Sequence, residues 1–182
     1  MDLESSDMPT LKIYAGQAYK GIIKKLIRKV KYDDDRLVAD ALGIRLACAV
    51  DKLVSMGTLK REVIENAILI PVPLHKTRRR KRGYNQAELL ARKLERRFSC
   101  KIRVDILDRV LNTKPQFDLD LITRQTNVTN AFSARVKDLD PDRTYIIVDD
   151  VFTTGATIKA CAKELLSAGA KNIIALAAAC AV

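Results

Sequence analysis

Apolar residues recur with a helical period in the first part of the chain. Ile23, Leu26, Ile27 and Val30 are spaced i, i+3, i+4, i+7, which predicts an amphipathic helix from about Gln17 to Lys31. Lys20, Lys24, Arg28 and Lys31 fall on another face and are read as a solvated stripe. Asp33, Asp34 and Asp35 break the pattern and supply a cap for a second helix, about Arg36 to Met56, closed by Gly57. The rhythm then changes. Ala67 to Ile70 is a short unbroken apolar run, as in a strand buried on both faces, and Pro71 and Pro73 stop it. A basic loop is expected next. After it comes a helix from Asn85 to Phe98, with Asn85 and Glu88 spaced as a capping box. Short β-like pieces near Ile102–Asp105 and Leu107–Leu111 lead into a polar stretch, Asn112–Asn130, expected to be a long loop with a helical turn.

The last unit is the clearest. Thr144–Val148 reads as a strand, Asp149–Gly155 as a loop, Ala156–Ala168 as a helix with Gly169 beyond its end, and Asn172–Ala179 as a second apolar strand. Strand–helix–strand alternation argues for an α/β fold with a central, mostly parallel sheet flanked by helices. The expected organisation is a leader over 1–18 and one domain over 19–182. Residues 19–66 form a small helical hood and residues 67–182 the α/β core.

Composition agrees with one ordered domain: 182 residues, 48% apolar and 30% charged. The net charge of +11 is unevenly placed. Residues 1–100 hold 22 Lys/Arg against 12 Asp/Glu, whereas residues 101–182 hold 11 against 10. A basic half points to phosphate-rich partners. The longest C-terminal apolar run, Ile173–Val182, is about half the ~20 residues that a membrane span needs. Cys48, Cys100, Cys161 and Cys180 form no CxxC pair, and His75 is the single histidine, so neither a disulfide framework nor a structural zinc site is expected. A reduced, cytoplasmic protein is the expectation.

The candidate chemistry lies at Asp149–Asp150–Val151–Phe152–Thr153–Thr154–Gly155–Ala156–Thr157. Two acids end a strand, and a loop of small hydroxyl residues leads into a helix N-terminus. Such a turn offers unpaired backbone N–H groups and a positive dipole end to a phosphate monoester. Thr153, Thr154 and Thr157 add hydroxyl donors, and Gly155 allows close backbone approach. Carboxylates accept hydrogen bonds from vicinal sugar hydroxyls, directly or through Mg²⁺-bound waters. Phosphate on one side and diol acceptors on the other describe a 5-phosphoribosyl group.

Tyr145–Thr157 resembles the phosphoribosyl pyrophosphate (PRPP) motif of type I phosphoribosyltransferases. Lys31–Tyr32, Pro71–Leu74, Arg82–Leu90, Thr113–Gln116, Arg124, Asn127–Val128 and Ala131–Phe132 narrow the likeness to the ComF family, over roughly Tyr19–Val182. Many ComF proteins begin with a cysteine-rich, zinc-finger-like segment that is not seen here, so no role of that segment is carried over. The resemblance implies a type I phosphoribosyltransferase fold. It implies Asp149 and Asp150 on the ribose hydroxyls, with Mg²⁺ held through water, and Thr153–Thr157 on the 5′-phosphate. It implies a pyrophosphate loop at Pro73, Leu74, His75 and Lys76, and a flexible loop whose Lys114 and Arg124 serve catalysis with Asp150. The reaction implied is transfer of phosphoribosyl to an unknown acceptor with release of pyrophosphate. A nucleotide sensor without turnover is the non-catalytic form of the same reading.

Lys76, Arg78, Arg79, Arg80, Lys81 and Arg82 put six cations in seven positions. Two uses stay open: one or two arginines serving the PRPP site, or a nucleic-acid contact surface. The family's association with natural competence implies single-stranded DNA and a helicase-like partner. A homodimer is a further expectation from the superfamily.

Overall fold

The computed structural model describes residues 2–5, 8–32, 35–112 and 130–181. Lys114, Arg124 and the rest of the expected flexible loop lie outside the described residues. In chain order the elements are β1 (Asp2–Ser5), β2 (Met8–Ala15), α1 (Gly21–Tyr32), α2 (Arg36–Ser55), α3 (Arg61–Glu65), β3 (Ile68–Pro71), α4 (Lys76–Arg82) and α5 (Gln86–Phe98). These are followed by β4 (Lys101–Ile102), β5 (Leu107–Arg109), β6 (Phe132–Ala134), β7 (Thr144–Phe152), α6 (Ala156–Ser167) and β8 (Asn172–Cys180).

Six strands form the main sheet in the order β1-β2-β8-β7-β3-β4. All neighbours run parallel except the β1–β2 edge, which is antiparallel. This α/β architecture is consistent with a type I phosphoribosyltransferase-like fold. A separate two-stranded antiparallel sheet pairs β5 with β6.

Alternation along β7 divides the core. Ile146 and Val148 pack with α1, α2 and α5. Tyr145 and Ile147 pack on the other face with α6, β5 and β6. Helices on both faces explain why β7 reads as a continuous apolar run. Helices α1, α2 and α3 contribute Ile27, Leu42, Leu46 and Ile64 to the same core as β7 and β8.

Two local expectations are corrected. Residues 2–5 and 8–15, within the stretch expected as a leader, form strands, and β2 pairs with β8 through Lys12–Ala15. Leu11, Ile13, Tyr14 and Ala15 are buried. Their burial against β8 could not be read from a strand whose parallel partner lies about 160 residues away. The basic segment after β3 is also not a loop. The side chain of His75 caps α4 by accepting from the Thr77 amide (3.3 Å), and Gly83 ends it at φ 72°. Arginine and lysine are good helix formers, so the intervening run propagates.

Candidate functional site

The connection from β3 leads through α5 to β4, and that from β7 leads through α6 to β8 on the opposite side. Between β3 and β7 the sheet therefore has a topological switch point, where a crevice opens at the carboxyl ends of the strands. A cavity of about 360 Å³ lies here. Its floor holds Val72, Asp149, Asp150 and Val151, with Thr153 and Thr157 at one side.

β7 is longer than its sequence implies and runs through Asp149 and Asp150 to Phe152. The acids lie within the strand rather than after it, because pairing with β8 continues to Phe152–Cys180. Strand geometry then turns neighbouring side chains to opposite faces. Asp150 meets α1, where Lys31 Nζ lies 3.1 Å from its Oδ1. Its Oδ2 is buried and accepts no hydrogen bond. Asp149 Oδ1 accepts from the Asp150 amide at 2.8 Å. Burial, then the neighbouring Asp150, pushes the Asp149 carboxyl up to about 7. Burial opposes the charge of Lys31, but Asp150 and Asp149 outweigh it and raise its pKa.

The turn after β7 is shaped by Gly155, at φ 78°. A Cβ there would lie 2.8 Å from Phe152 Cε2, so glycine answers both the left-handed backbone and the close ring. Thr154 Oγ1 accepts from the Ala156 amide at 3.4 Å. Phe152, Thr153, Gly155, Ala156 and Thr157 line a notch that adjoins the main cavity and faces the first turn of α6. Thr154 lines neither.

The remaining predicted residues separate. Of Pro73, Leu74, His75 and Lys76, only Leu74 lines the cavity. His75 is engaged as the α4 cap. The basic cluster divides by helical period: Arg78 and Arg82, one turn apart, face the cavity, whereas Arg79, Arg80 and Lys81 are exposed. Arg79 pairs with Glu88 at 3.2 Å, which takes Glu88 out of the expected capping box. Asn85 nevertheless caps α5 through the Ala87 amide, and its Nδ2 donates to the Val72 carbonyl at 3.0 Å. That bond ties the basic segment to the end of β3.

Sequence reasoning missed five contributors. Lys24, Arg28 and Lys31, read as a solvated stripe, line the cavity together with Tyr19. Their spacing of i, i+4, i+7 was visible, but the facing element was not. Arg109 of β5 also lines it, 8% exposed, with its guanidinium 5.2 Å from the Phe132 ring centre. Burial, then the charge of Arg78, lowers its pKa. The described lining holds six basic side chains against two acids. Among the described residues no group of three or more metal-ligating side chains is clustered, and no helix is long and apolar enough to cross a membrane.

Fold and cavity together define an α/β protein with a strongly basic crevice at the switch point of a parallel sheet. No family model matches the chain. Relatives do place it: the chain belongs to the ComF family. It is 37% identical over 149 residues to Competence protein F of Haemophilus influenzae, covering 81% of this chain and 63% of that protein. It is 32% identical over 155 residues to DNA utilization protein YhgH of Escherichia coli K12, covering 85% and 66% respectively. Competence protein ComFC of Bacillus subtilis is 26% identical over 152 residues, covering 83% and 56%. The chain spans less than two thirds of the length of each of these relatives.

Proposed function

We propose that the chain binds PRPP with Mg²⁺ and transfers its phosphoribosyl group to an acceptor, releasing pyrophosphate, in the service of DNA uptake or utilization. The observation that carries this reading is the meeting, in one cavity, of a buried acid pair, a threonine turn at a helix N-terminus and a basic wall. The turn and the first amides of α6 suit a phosphate monoester. Asp150 Oδ2, buried and without a hydrogen bond, suits a sugar hydroxyl. Arg78, Arg82 and Arg109 suit a diphosphate.

The residues present fit Mg²⁺ as a ligand-borne ion. Two carboxylates, one of them already paired with Lys31, make a poor cage by themselves. They can meet waters of an ion held mainly by phosphate oxygens. Asp149 and Asp150 would hold it, and it would neutralise charge on the leaving diphosphate. The chain's own part is to hold the ribose hydroxyls at the acids, clamp the phosphate at the turn and stabilise negative charge with the arginines.

Calorimetric titration with PRPP, with and without Mg²⁺, tests the proposal. Saturable binding that Mg²⁺ strengthens supports it. The double variant Asp149→Asn, Asp150→Asn is expected to lose binding while keeping its fold. Unchanged binding in that variant would sink the reading.

A second use has its own observation. Arg79, Arg80 and Lys81 point away from the cavity on exposed positions of α4. Together with relatives named for competence and DNA utilization, this favours a separate phosphate-backbone contact for single-stranded DNA.

A further inference from the structure

α4 and α5 are separate helices, because Gly83 ends α4 at φ 72° and Asn85 caps α5. Two arginines of α4 reach across this turn to the first turn of α5, and their partners differ. Arg79 Nη2 lies 3.2 Å from Glu88 Oε2, and the other oxygen of that carboxylate meets Arg92 at 2.8 Å. Arg82 Nη1 donates to Gln86 Oε1 at 2.6 Å. Arg79 is exposed, whereas Arg82 and Gln86 both line the cavity. The arginine that faces solvent thus meets a carboxylate, and the one that faces the cavity meets a neutral amide.

Gln86 is itself fixed in place. It is 7% exposed and follows Asn85, whose Oδ1 accepts from the Ala87 amide and whose Nδ2 donates to the Val72 carbonyl. The start of α5 is therefore tied to the end of β3, and Gln86 has a set position in the cavity wall. A guanidinium has donors only, so the amide must turn its oxygen toward Arg82. One such bond selects among the many rotamers of a long side chain, which a ligand would otherwise have to order on binding. A carboxylate at the same position would select the same rotamer, but it would also cancel the charge that a phosphate group needs.

We propose that Gln86 is a positioning residue, which aims the Arg82 guanidinium into the cavity and leaves its positive charge for the diphosphate of the ligand. This rests on the phosphoribosyl reading above, which gives Arg82 to the diphosphate. Gln86 acts through Arg82 and not on the reacting atoms. The bond between them uses Nη1. A guanidinium carries five N–H donors in a planar fork, so others can meet phosphate oxygens in parallel pairs. Holding the fork in advance lowers the ordering that binding requires, which is how a supporting side chain raises affinity without touching the ligand.

Calorimetric titration with three probes tests this: PRPP with Mg²⁺, inorganic pyrophosphate, and ribose 5-phosphate, which lacks the diphosphate. Gln86→Glu is close to isosteric. Its affinity for PRPP and pyrophosphate is expected to fall tenfold or more, while ribose 5-phosphate stays within about threefold and the urea midpoint does not drop. In the Arg82→Gln background the same change should cost less than about threefold, because no guanidinium is left to neutralise. Equal losses in both backgrounds would mean that the new carboxylate only repels the ligand, and would overturn the proposal. So would unchanged pyrophosphate affinity in Gln86→Glu, or a loss of ribose 5-phosphate as large as that of pyrophosphate. Gln86→Met removes the bond without adding charge and serves if the acid is not tolerated. Its pyrophosphate affinity should fall about threefold or more, and affinity equal to the unaltered protein's would again overturn the role. If the unaltered protein binds pyrophosphate but not PRPP, the phosphoribosyl reading falls and the pyrophosphate titrations still decide the part of Gln86. If it binds neither, both fall.

Discussion

Lys31 Nζ lies 3.1 Å from Asp150 Oδ1, joining the last turn of α1 to the strand that carries the acid pair. The carboxylate side of this bridge is almost wholly buried, and the lysine is 28% exposed. It brings one positive charge to a place where two adjacent carboxyls would otherwise repel. Replacing Lys31 with Met is expected to destabilise the protein by about 1–3 kcal/mol, less than a fully buried pair because solvent reaches the lysine. The same change should move the pH midpoint of ligand binding upward, since Asp149 becomes harder to ionise without the charge of Lys31. Urea denaturation and calorimetry over pH 6–9 check the two effects, and an unmoved midpoint would contradict the coupling.

The raised Asp149 carboxyl has its own consequence. With a folded pKa of about 7 against 3.8, the folded protein keeps a proton that the unfolded chain has lost between those values. Stability must then fall as pH rises from about 4 to 7 and level off above, for this group alone. Asp149→Asn should flatten that slope, as read by urea midpoints at pH 5 and 8. Ligand affinity runs the other way: sugar hydroxyls and Mg²⁺-bound waters favour the ionised acid, so binding should strengthen from pH 6 to 8.

Gly155→Ala tests the turn. The residue sits at φ 78°, and the added Cβ would meet Phe152 at 2.8 Å. A loss of about 1–2 kcal/mol in thermal stability is expected from the backbone alone. Phosphate or PRPP affinity should drop at least tenfold, because the first amides of α6 are re-aimed. Intact affinity would show that the notch is not the phosphate seat.

Tyr84 holds α1 from the far side. Its hydroxyl donates to the Val30 carbonyl at 2.7 Å, next to Lys31. Tyr84→Phe leaves that carbonyl short of a donor, at about 1–2 kcal/mol. A weaker grip on the end of α1 should also reduce PRPP affinity by a few-fold. Denaturation midpoint and calorimetry on the same sample separate the two readings.

The division of α4 makes a contrast between variants. Replacing Arg79, Arg80 and Lys81 with Gln should weaken single-stranded DNA binding and lower its salt slope by about 0.7 per lost phosphate contact, while PRPP binding persists. Replacing Arg78 and Arg82 should do the reverse. Identical losses in both variants would mean one shared site.

Much of this molecule is written locally. The period of Ile23, Leu26, Ile27 and Val30 set α1, the apolar run before Pro71 set β3, and the acid–threonine–glycine order at 149–157 marked the candidate site, because each depends on neighbours within a few residues. Long-range pairing was beyond such reading. β7 extends through its acids only because β8 continues beside it, and the segment 8–15 is a strand only because β8 offers an edge. Lys24 and Arg28 looked like any solvated stripe until the fold set α1 beside the sheet. Arg109 gave no signal, since its place rests on β5 packing near Asp149. Residue order thus determined which groups the chain carries and most of its elements. Tertiary structure decided which cations face the acids, because that depends on which surfaces the packed elements turn toward one another.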